Sequence, residues 1–124
     1  MNTKDTVAVT SRSFSKNTFL VSKLKNLYSS IILNETGKTL EGEDLINFLK
    51  PASKAIIGIE AMPDRILSEL PDLKVISKYG VGLNNLDLKL LKNYKIKLGF
   101  TPGVNKQSVA ELALTLILIG LKKI

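Results

Sequence analysis

The residues with the clearest chemical potential are two glycines on either side of Val81. Gly80 and Gly82 follow an apolar stretch of strand length and precede a segment of helical period. A glycine turn at the end of a strand can expose consecutive backbone N–H groups, which bind a small carboxylate as a nest. The turn could also begin a dinucleotide-binding fingerprint, but Asn85 replaces the third glycine of that pattern. A carboxylate nest and a plain turn, with Asn85 capping the next helix, both remain open.

A second glycine-containing run, residues 37–39, reads Gly-Lys-Thr like the end of a phosphate-binding P-loop. The full motif needs a glycine at position 32, where this chain has Ile32. A backbone cradle for phosphates is therefore not expected. The run is predicted to be a turn before a helix.

Composition excludes several kinds of chemistry. The 124 residues include no histidine and no cysteine, which removes disulfides, thiol nucleophiles and the usual zinc ligands. The net charge is +7, but the lysines are scattered and do not alternate with aromatic residues, so no nucleic-acid partner is expected. No signal peptide is evident, and the longest apolar stretch, of about 10 residues, is too short to cross a bilayer. A cytoplasmic protein without a metal or a membrane contact is expected.

Apolar runs of strand length alternate with segments of helical period along the chain. The predicted strands are 7–10, 31–33, 55–59, 74–79 and 96–100. The predicted helices are 18–28, 42–49, a short one after Pro63, and 86–92, whereas residues 11–15 are predicted to form a loop. This alternation indicates an α/β fold: a parallel five-stranded sheet with helices on both faces, in the order 2-1-3-4-5.

In such sheets, ligands bind outside the carboxyl ends of the strands, near the point where the strand order reverses. The loops after Thr10, Ile59, Tyr79 and Phe100 are therefore the predicted location of a site.

The final segment is apolar on nearly every side. Ser108 and Glu111 have the spacing of a capping box, which predicts a helix from about Val109. A helix that is apolar all round is buried all round, and this sheet can cover only one of its faces. The sequence therefore predicts that the other face packs against further protein.

Two blocks of the sequence resemble a known enzyme family. Residues 70–87 read LPDLKVISKYGVGLNNLD, and residues 101–113 read TPGVNKQSVAELA. In order and spacing, both blocks resemble motifs of the NAD-dependent D-2-hydroxyacid dehydrogenases, nearest to the phosphoglycerate dehydrogenase-like branch.

The resemblance implies a flavodoxin-like substrate-binding domain, present in part as residues 1–106. Residues 107–124 would form an interdomain helix leading to an absent Rossmann-like cofactor domain, which would bind NAD and carry the catalytic arginine, glutamate and histidine. The chain is then expected to be a truncated part of an oxidoreductase acting on the CH–OH group of small 2-hydroxy acids. It is expected to bind no NAD tightly, to be inactive alone, and to form a homo-oligomer through the apolar helix 109–121.

The resemblance also implies which residues bind the substrate. The backbone of Gly80, Val81 and Gly82 would hold the carboxylate of a small 2-hydroxy or 2-keto acid, and Asn105 would lie near the active-site cleft and the interdomain hinge. Ser11 and Arg12, at the end of the first strand, are further candidates.

Departures from the family pattern limit the choice of substrate. The chain has Asn84 where the family usually has aspartate. Positions 60 and 61 are Glu60 and Ala61, whereas a relative that binds a substrate phosphate would tend to have an arginine near there. Phosphohydroxypyruvate is therefore not the expected ligand. Two other functions remain open: a non-catalytic small-carboxylate-binding or regulatory module, and a structural partner that assembles through its last helix.

Overall fold

Five parallel strands form a single sheet in the order β2-β1-β3-β4-β5. A computed structural model describes residues 5–80 and 82–100. The strands are β1 (Thr6–Val9), β2 (Ser30–Leu33), β3 (Lys54–Ile57), β4 (Val75–Lys78) and β5 (Lys97–Gly99); the helices are α1 (Arg12–Lys16), α2 (Thr18–Leu27), α3 (Gly42–Leu49), α4 (Asp64–Leu67) and α5 (Leu88–Asn93). The predicted strand order and the α/β class are confirmed.

Alternation along the strands divides the core between the two faces of the sheet. Val7 and Val9 pack with one buried cluster, whereas Ala8, which lies between them, packs with the other. The first cluster includes Phe14 of α1 and Leu20 of α2. The second includes the buried residues of α3, α4 and α5, which are Leu45, Ile46, Leu49, Ile66, Leu67 and Leu91. Burial on both faces explains why the strands read as apolar runs in the sequence.

The chain changes faces between β1 and β3. After β1 it enters α1 and α2 on one face, and after β3 it enters α4 on the other. These two strands are neighbours, with Val7 paired to Lys54 and Val9 paired to Ile56. Their diverging connections open a crevice at the carboxyl end of the sheet, which is the switch point of a doubly wound fold.

The prediction of a loop at residues 11–15 is wrong, because α1 begins immediately after Ser11. The Ser11 hydroxyl accepts a hydrogen bond from the backbone N–H of Phe14 at 3.2 Å, which caps the helix. The Phe14 ring is buried and packs edge-on against Tyr79, with ring centroids 5.4 Å apart. This cap and this buried ring stabilise α1. The helix is too short for a helical pattern of apolar residues to be visible in the sequence.

Capping of α5 by Asn85, part of one of the two alternatives left open for this turn, is not observed. Asp87 is the N-cap, and its carboxylate accepts from the backbone N–H groups of Lys89 and Leu90 at 3.0 and 3.2 Å. The predicted turn at residues 37–39 is confirmed, with Gly37 at φ +75°.

The expected boundary between residues 1–106 and 107–124 lies outside the described residues. Residues 101–124, and with them the interdomain helix, the apolar helix 109–121 and Asn105, are not described. Within residues 5–80 and 82–100, no helix has the length and apolar character that crossing a bilayer requires.

Candidate functional site

A cleft of about 420 Å³ lies at the carboxyl ends of β1, β3 and β4. Its walls come from the loops after these strands, from α1, and from the turn after β2. The lining residues are Ser11, Arg12, Ser13, Lys16, Gly37, Gly58, Ile59, Glu60, Tyr79 and Gly80. Three of the four loops predicted to hold a site therefore meet here, and the fourth, after Phe100, lies outside the described residues.

Two cations of α1 stand at the edge of this cleft. Arg12 and Lys16 are one helical turn apart and exposed. The Arg12 guanidinium donates from Nη1 to the carbonyl oxygen of Gly37 at 3.3 Å, which ties α1 to the turn after β2. The mouth of the cleft therefore carries positive charge that a small anion would meet on entry.

The floor of the cleft contains a buried carboxylate, Glu60, which is 3% exposed. Its Oε1 atom accepts from the Thr10 hydroxyl at 2.6 Å and from the backbone N–H of Gly58 at 2.8 Å. These contacts join the end of β1 to the loop after β3. A buried carboxylate is costly unless donors surround it, so the contacts explain how Glu60 is accommodated.

Lys78 is another buried charged residue at this end of the sheet, at 4% exposure. Its ammonium donates to the carbonyl oxygen of Gly58, one residue after β3 ends. Burial lowers the pKa of Lys78, and the nearby negative charge of Glu60 opposes that shift. The ends of β3 and β4 are thus linked by a buried cation.

Asn85 completes this polar floor. Its side-chain amide donates to the carbonyl oxygens of Gly58 at 3.1 Å and Glu60 at 2.6 Å. The backbone N–H of Met62 donates to the backbone carbonyl oxygen of Asn85 at 3.3 Å. The loop after β3 is therefore held by residues that follow β4.

The structure brings together some of the predicted site residues and not others. Gly80, Ser11 and Arg12 all line the cleft, although the Ser11 hydroxyl is already engaged as the cap of α1. Gly82 is described but does not line the cleft. Val81 and Asn105 lie outside the described residues.

Sequence reasoning did not identify the residues of the polar floor. Thr10, Glu60 and Lys78 are far apart in the sequence, and each stands at or just after the end of an apolar strand. A charged residue at the end of a strand buried on both faces is the signal that could have pointed to Lys78. Among the described residues, no group of three or more acidic side chains could hold a metal ion.

Comparison with known proteins gives a consistent family. The family model for the catalytic domain of the D-isomer specific 2-hydroxyacid dehydrogenases matches residues 7–115. The chain is 32% identical over 87 residues to a hydroxypyruvate reductase of Thermotoga maritima, covering 69% of this chain and 28% of that protein. It is 34% identical over 89 residues to the peroxisomal glycerate dehydrogenase HPR of Arabidopsis thaliana, covering 68% of this chain and 23% of that protein.

Solved structures share the fold. A 3-phosphoglycerate dehydrogenase of Entamoeba histolytica with bound NAD⁺ superimposes with a TM-score of 0.68 at 24% identity, over 97% of this chain and 40% of that one. A D-isomer specific 2-hydroxyacid dehydrogenase from Polaromonas sp. JS6 66 gives a TM-score of 0.73 at 21% identity, over 93% and 35% of the two chains. At these identities the likeness concerns architecture alone.

The described residues do not fit a dinucleotide at the glycine loop. A dinucleotide fingerprint needs a small residue at the third glycine position, so that a helix can approach closely and present its N-terminus to the pyrophosphate. Asn85 occupies that position, and its side chain is bound to the Gly58 and Glu60 carbonyls. The glycine loop therefore does not complete a dinucleotide fingerprint.

Proposed function

The chain belongs to the D-isomer specific 2-hydroxyacid dehydrogenases, and on that premise we propose that its cleft binds the carboxylate end of a small 2-hydroxy or 2-keto acid. It would serve as the substrate-binding part of an NAD-dependent oxidoreductase acting on the CH–OH group. The observation that carries the proposal is the meeting of Gly80, Arg12 and Lys16 around one cleft at the switch point of the sheet.

The carboxylate would be held by backbone N–H groups of the glycine loop, of which Gly80 lines the cleft. Backbone N–H groups of a turn can bind an anion without a charged side chain in contact. The exposed charges of Arg12 and Lys16 would raise the local concentration of anions at the cleft. This attraction would become weaker as the salt concentration rises. This division of roles favours a small acid over a neutral molecule of the same shape.

No step of hydride transfer is assigned to residues 5–80 and 82–100, because these residues do not fit the cofactor. The sequence also contains no histidine to act as the general acid and base that the family resemblance implies. We therefore expect the chain alone to show no turnover when it is mixed with NADH and a panel of 2-keto acids. Measurable turnover in this assay would contradict the assignment of the chain to substrate binding only.

Binding itself is tested by titrating the ¹⁵N-labelled chain with D-lactate and following the amide signals of Gly80 and Gly82. A ligand of so few atoms is expected to bind with a dissociation constant on the order of 1 mM. Sodium chloride at the same ionic strength serves as the control. Shifts that are absent, or equal in lactate and chloride, would refute the carboxylate site, whereas micromolar affinity would favour a stand-alone binding module.

The two arginines of the chain provide a matched pair for the same titration. Arg12→Gln removes a charge at the cleft, whereas Arg65→Gln removes an equally exposed charge from α4. We expect the first variant to weaken lactate binding by about threefold in low salt, because an exposed charge contributes a few tenths of a kcal/mol. The second is expected to bind as the parent does, and equal losses in both would remove Arg12 from the site.

A further inference from the structure

We propose that Lys78 is a positioning residue of the acid site, whose buried ammonium fixes the glycine loop and supplies positive charge behind the wall that the substrate carboxylate faces. This inference rests on the proposed function, because it assigns the origin of anion selectivity within that same cleft. It concerns a residue that is not itself among the residues lining the cleft.

The Lys78 side chain lies directly beneath Gly80. A Cβ atom built on Gly80 would lie 3.1 Å from Lys78 Nζ and 3.9 Å from Lys78 Cε. Lys78 is the last residue of β4, and side chains two residues apart project to the same side of a strand. The ammonium therefore occupies the space that a side chain at position 80 would need.

The same ammonium also contacts the loop after β3, the strand next to β4. It donates to the carbonyl oxygen of Gly58, and both Gly58 and Gly80 line the cleft. Ile57, the residue before Gly58, is paired with Lys78 in the sheet. One cation thus fixes the distance between the two loops, and it does so immediately behind the surface that a ligand would touch.

A purely structural role does not account for a lysine here. Burial lowers the pKa of Lys78, so at neutral pH the charged lysine makes the fold less stable than it would be if its pKa were unshifted. Replacing both members of a buried ion pair by apolar residues is often neutral for stability, so the burial of Lys78 beside Glu60 is not by itself a gain in stability. A cation retained at such a position, next to a cleft, is typical of a functional site.

Glu60 offsets part of this charge. Its Oε1 atom accepts from Thr10 and from the Gly58 N–H, and its negative charge lies close enough to Lys78 to oppose the lowering of the Lys78 pKa. Arg12 and Lys16 contribute further positive charge at the cleft mouth, so the four groups together carry a net positive charge. Lys78 is the cation that lies directly beneath Gly80, and because it is buried its charge is screened less by salt than the charges of Arg12 and Lys16.

The experiment compares D-lactate with D-lactamide, which has a similar shape but no charge. We expect the parent chain to bind lactate more tightly than lactamide, and Lys78→Arg to retain that preference. In Lys78→Met, the ratio of the two affinities should fall by about tenfold. A loss of about tenfold corresponds to about 1.4 kcal/mol, which is reasonable for one shielded charge a few ångströms behind the wall. Lys74→Met is the matched control, since exposed Lys74 precedes β4 at the opposite end of the strand.

The ratio of the two affinities separates selectivity from stability. If Lys78 only supports the fold, Lys78→Met weakens lactate and lactamide equally and the ratio stays unchanged, which overturns the inference. If the parent chain binds neither compound, or shows no preference for lactate, the proposed function fails together with it. Binding by the parent with an unchanged ratio in Lys78→Met leaves the proposed function intact and removes Lys78 alone.

A second measurement covers the case in which Lys78→Met does not fold. The ¹³Cε chemical shift of Lys78 is followed against pH in the parent chain, with lactate and with lactamide. A bound anion near the ammonium must raise the pKa of Lys78 by linkage, and the neutral amide must not. Identical titration curves with the two compounds would overturn the inference.

Discussion

Gly80 is the residue at which the backbone and the packing impose the same requirement. Its φ of +158° is one that L-residues with a side chain rarely adopt, and the ammonium of Lys78 fills the space beside its Cα. The glycine therefore serves two purposes: it allows the loop to turn after β4, and it leaves room for a buried cation.

Gly80→Ala is expected to lower the free energy of unfolding by about 1–3 kcal/mol, because strain and a close contact with Lys78 add together. Gly82→Ala is the matched control, since a Cβ built there has no neighbour within 4 Å. Urea denaturation of both variants measures the difference. A Gly80→Ala variant as stable as Gly82→Ala would show that the loop does not have this conformation.

Local residues of the site could be found from the sequence, and distant ones could not. The glycine loop is contiguous, so Gly80 was identified together with its neighbours. The contacts of the polar floor join Thr10 to Glu60 and Lys78 to Gly58, across 50 and 20 positions. Such pairs become visible only when the register of β1, β3 and β4 is known.

At the scale of elements, α1 holds the cations of the cleft mouth although it has only five residues. An isolated helix of this length is unstable in water, so its cap and its single buried ring determine whether it forms. The Ser11 hydroxyl provides that cap, and Phe14 provides that ring.

Removing the cap is expected to destabilise α1 and loosen Arg12. Ser11→Ala should lower the free energy of unfolding by about 1 kcal/mol and weaken lactate binding, whereas Ser11→Asn should retain both, because asparagine is an equally good N-cap and adds no charge to the cleft. Urea denaturation and the amide titration measure the two effects. Equal behaviour of the alanine and asparagine variants would indicate that capping is not what Ser11 contributes.

Helix length and the residues that end a helix determine which elements could be predicted from the sequence. The bounds of α3, Gly42–Leu49, agree with the prediction. Its apolar residues recur at helical spacing, a glycine marks its start, and Pro51 lies just beyond its end. The helix α1 was missed because five residues with one buried position show no period. Strand ends differ by one or two residues where polar residues such as Lys54 pair within the sheet.

At the scale of the whole molecule, one buried phenol links stability to alkaline pH. Tyr28 is 2% exposed, and its hydroxyl has no hydrogen-bond partner among residues 5–80 and 82–100. Burial, and secondarily the negative charge of Asp5, raise the pKa of Tyr28 well above its usual value. An acid with a raised folded-state pKa stabilises the fold fully below its unfolded pKa of about 10, and this contribution is lost as pH rises further.

The free energy of unfolding of the parent chain should therefore fall between pH 8 and pH 11. That of Tyr28→Phe should fall by about 1 kcal/mol less over the same range. Urea denaturation at the two pH values gives the comparison. Tyr94→Phe is the comparison: the pKa of Tyr94 is also raised, chiefly by its hydrogen bond to Asp64, but this pair lies at the surface, so we expect a smaller difference from the parent. If Tyr28→Phe and the parent lose the same stability, ionisation of this phenol is not coupled to unfolding.

The order of strands in the sheet has a consequence for how the protein is made. β1 leaves the ribosome before β3, yet one edge of β1 pairs with β3, so that the partner of Val7, Lys54, is made 47 residues later. Until then that edge of β1 has no partner strand, and an unpaired apolar edge is the kind of surface that associates with other chains. The interval between the synthesis of β1 and that of β3 is thus a stage at which association with other chains competes with folding.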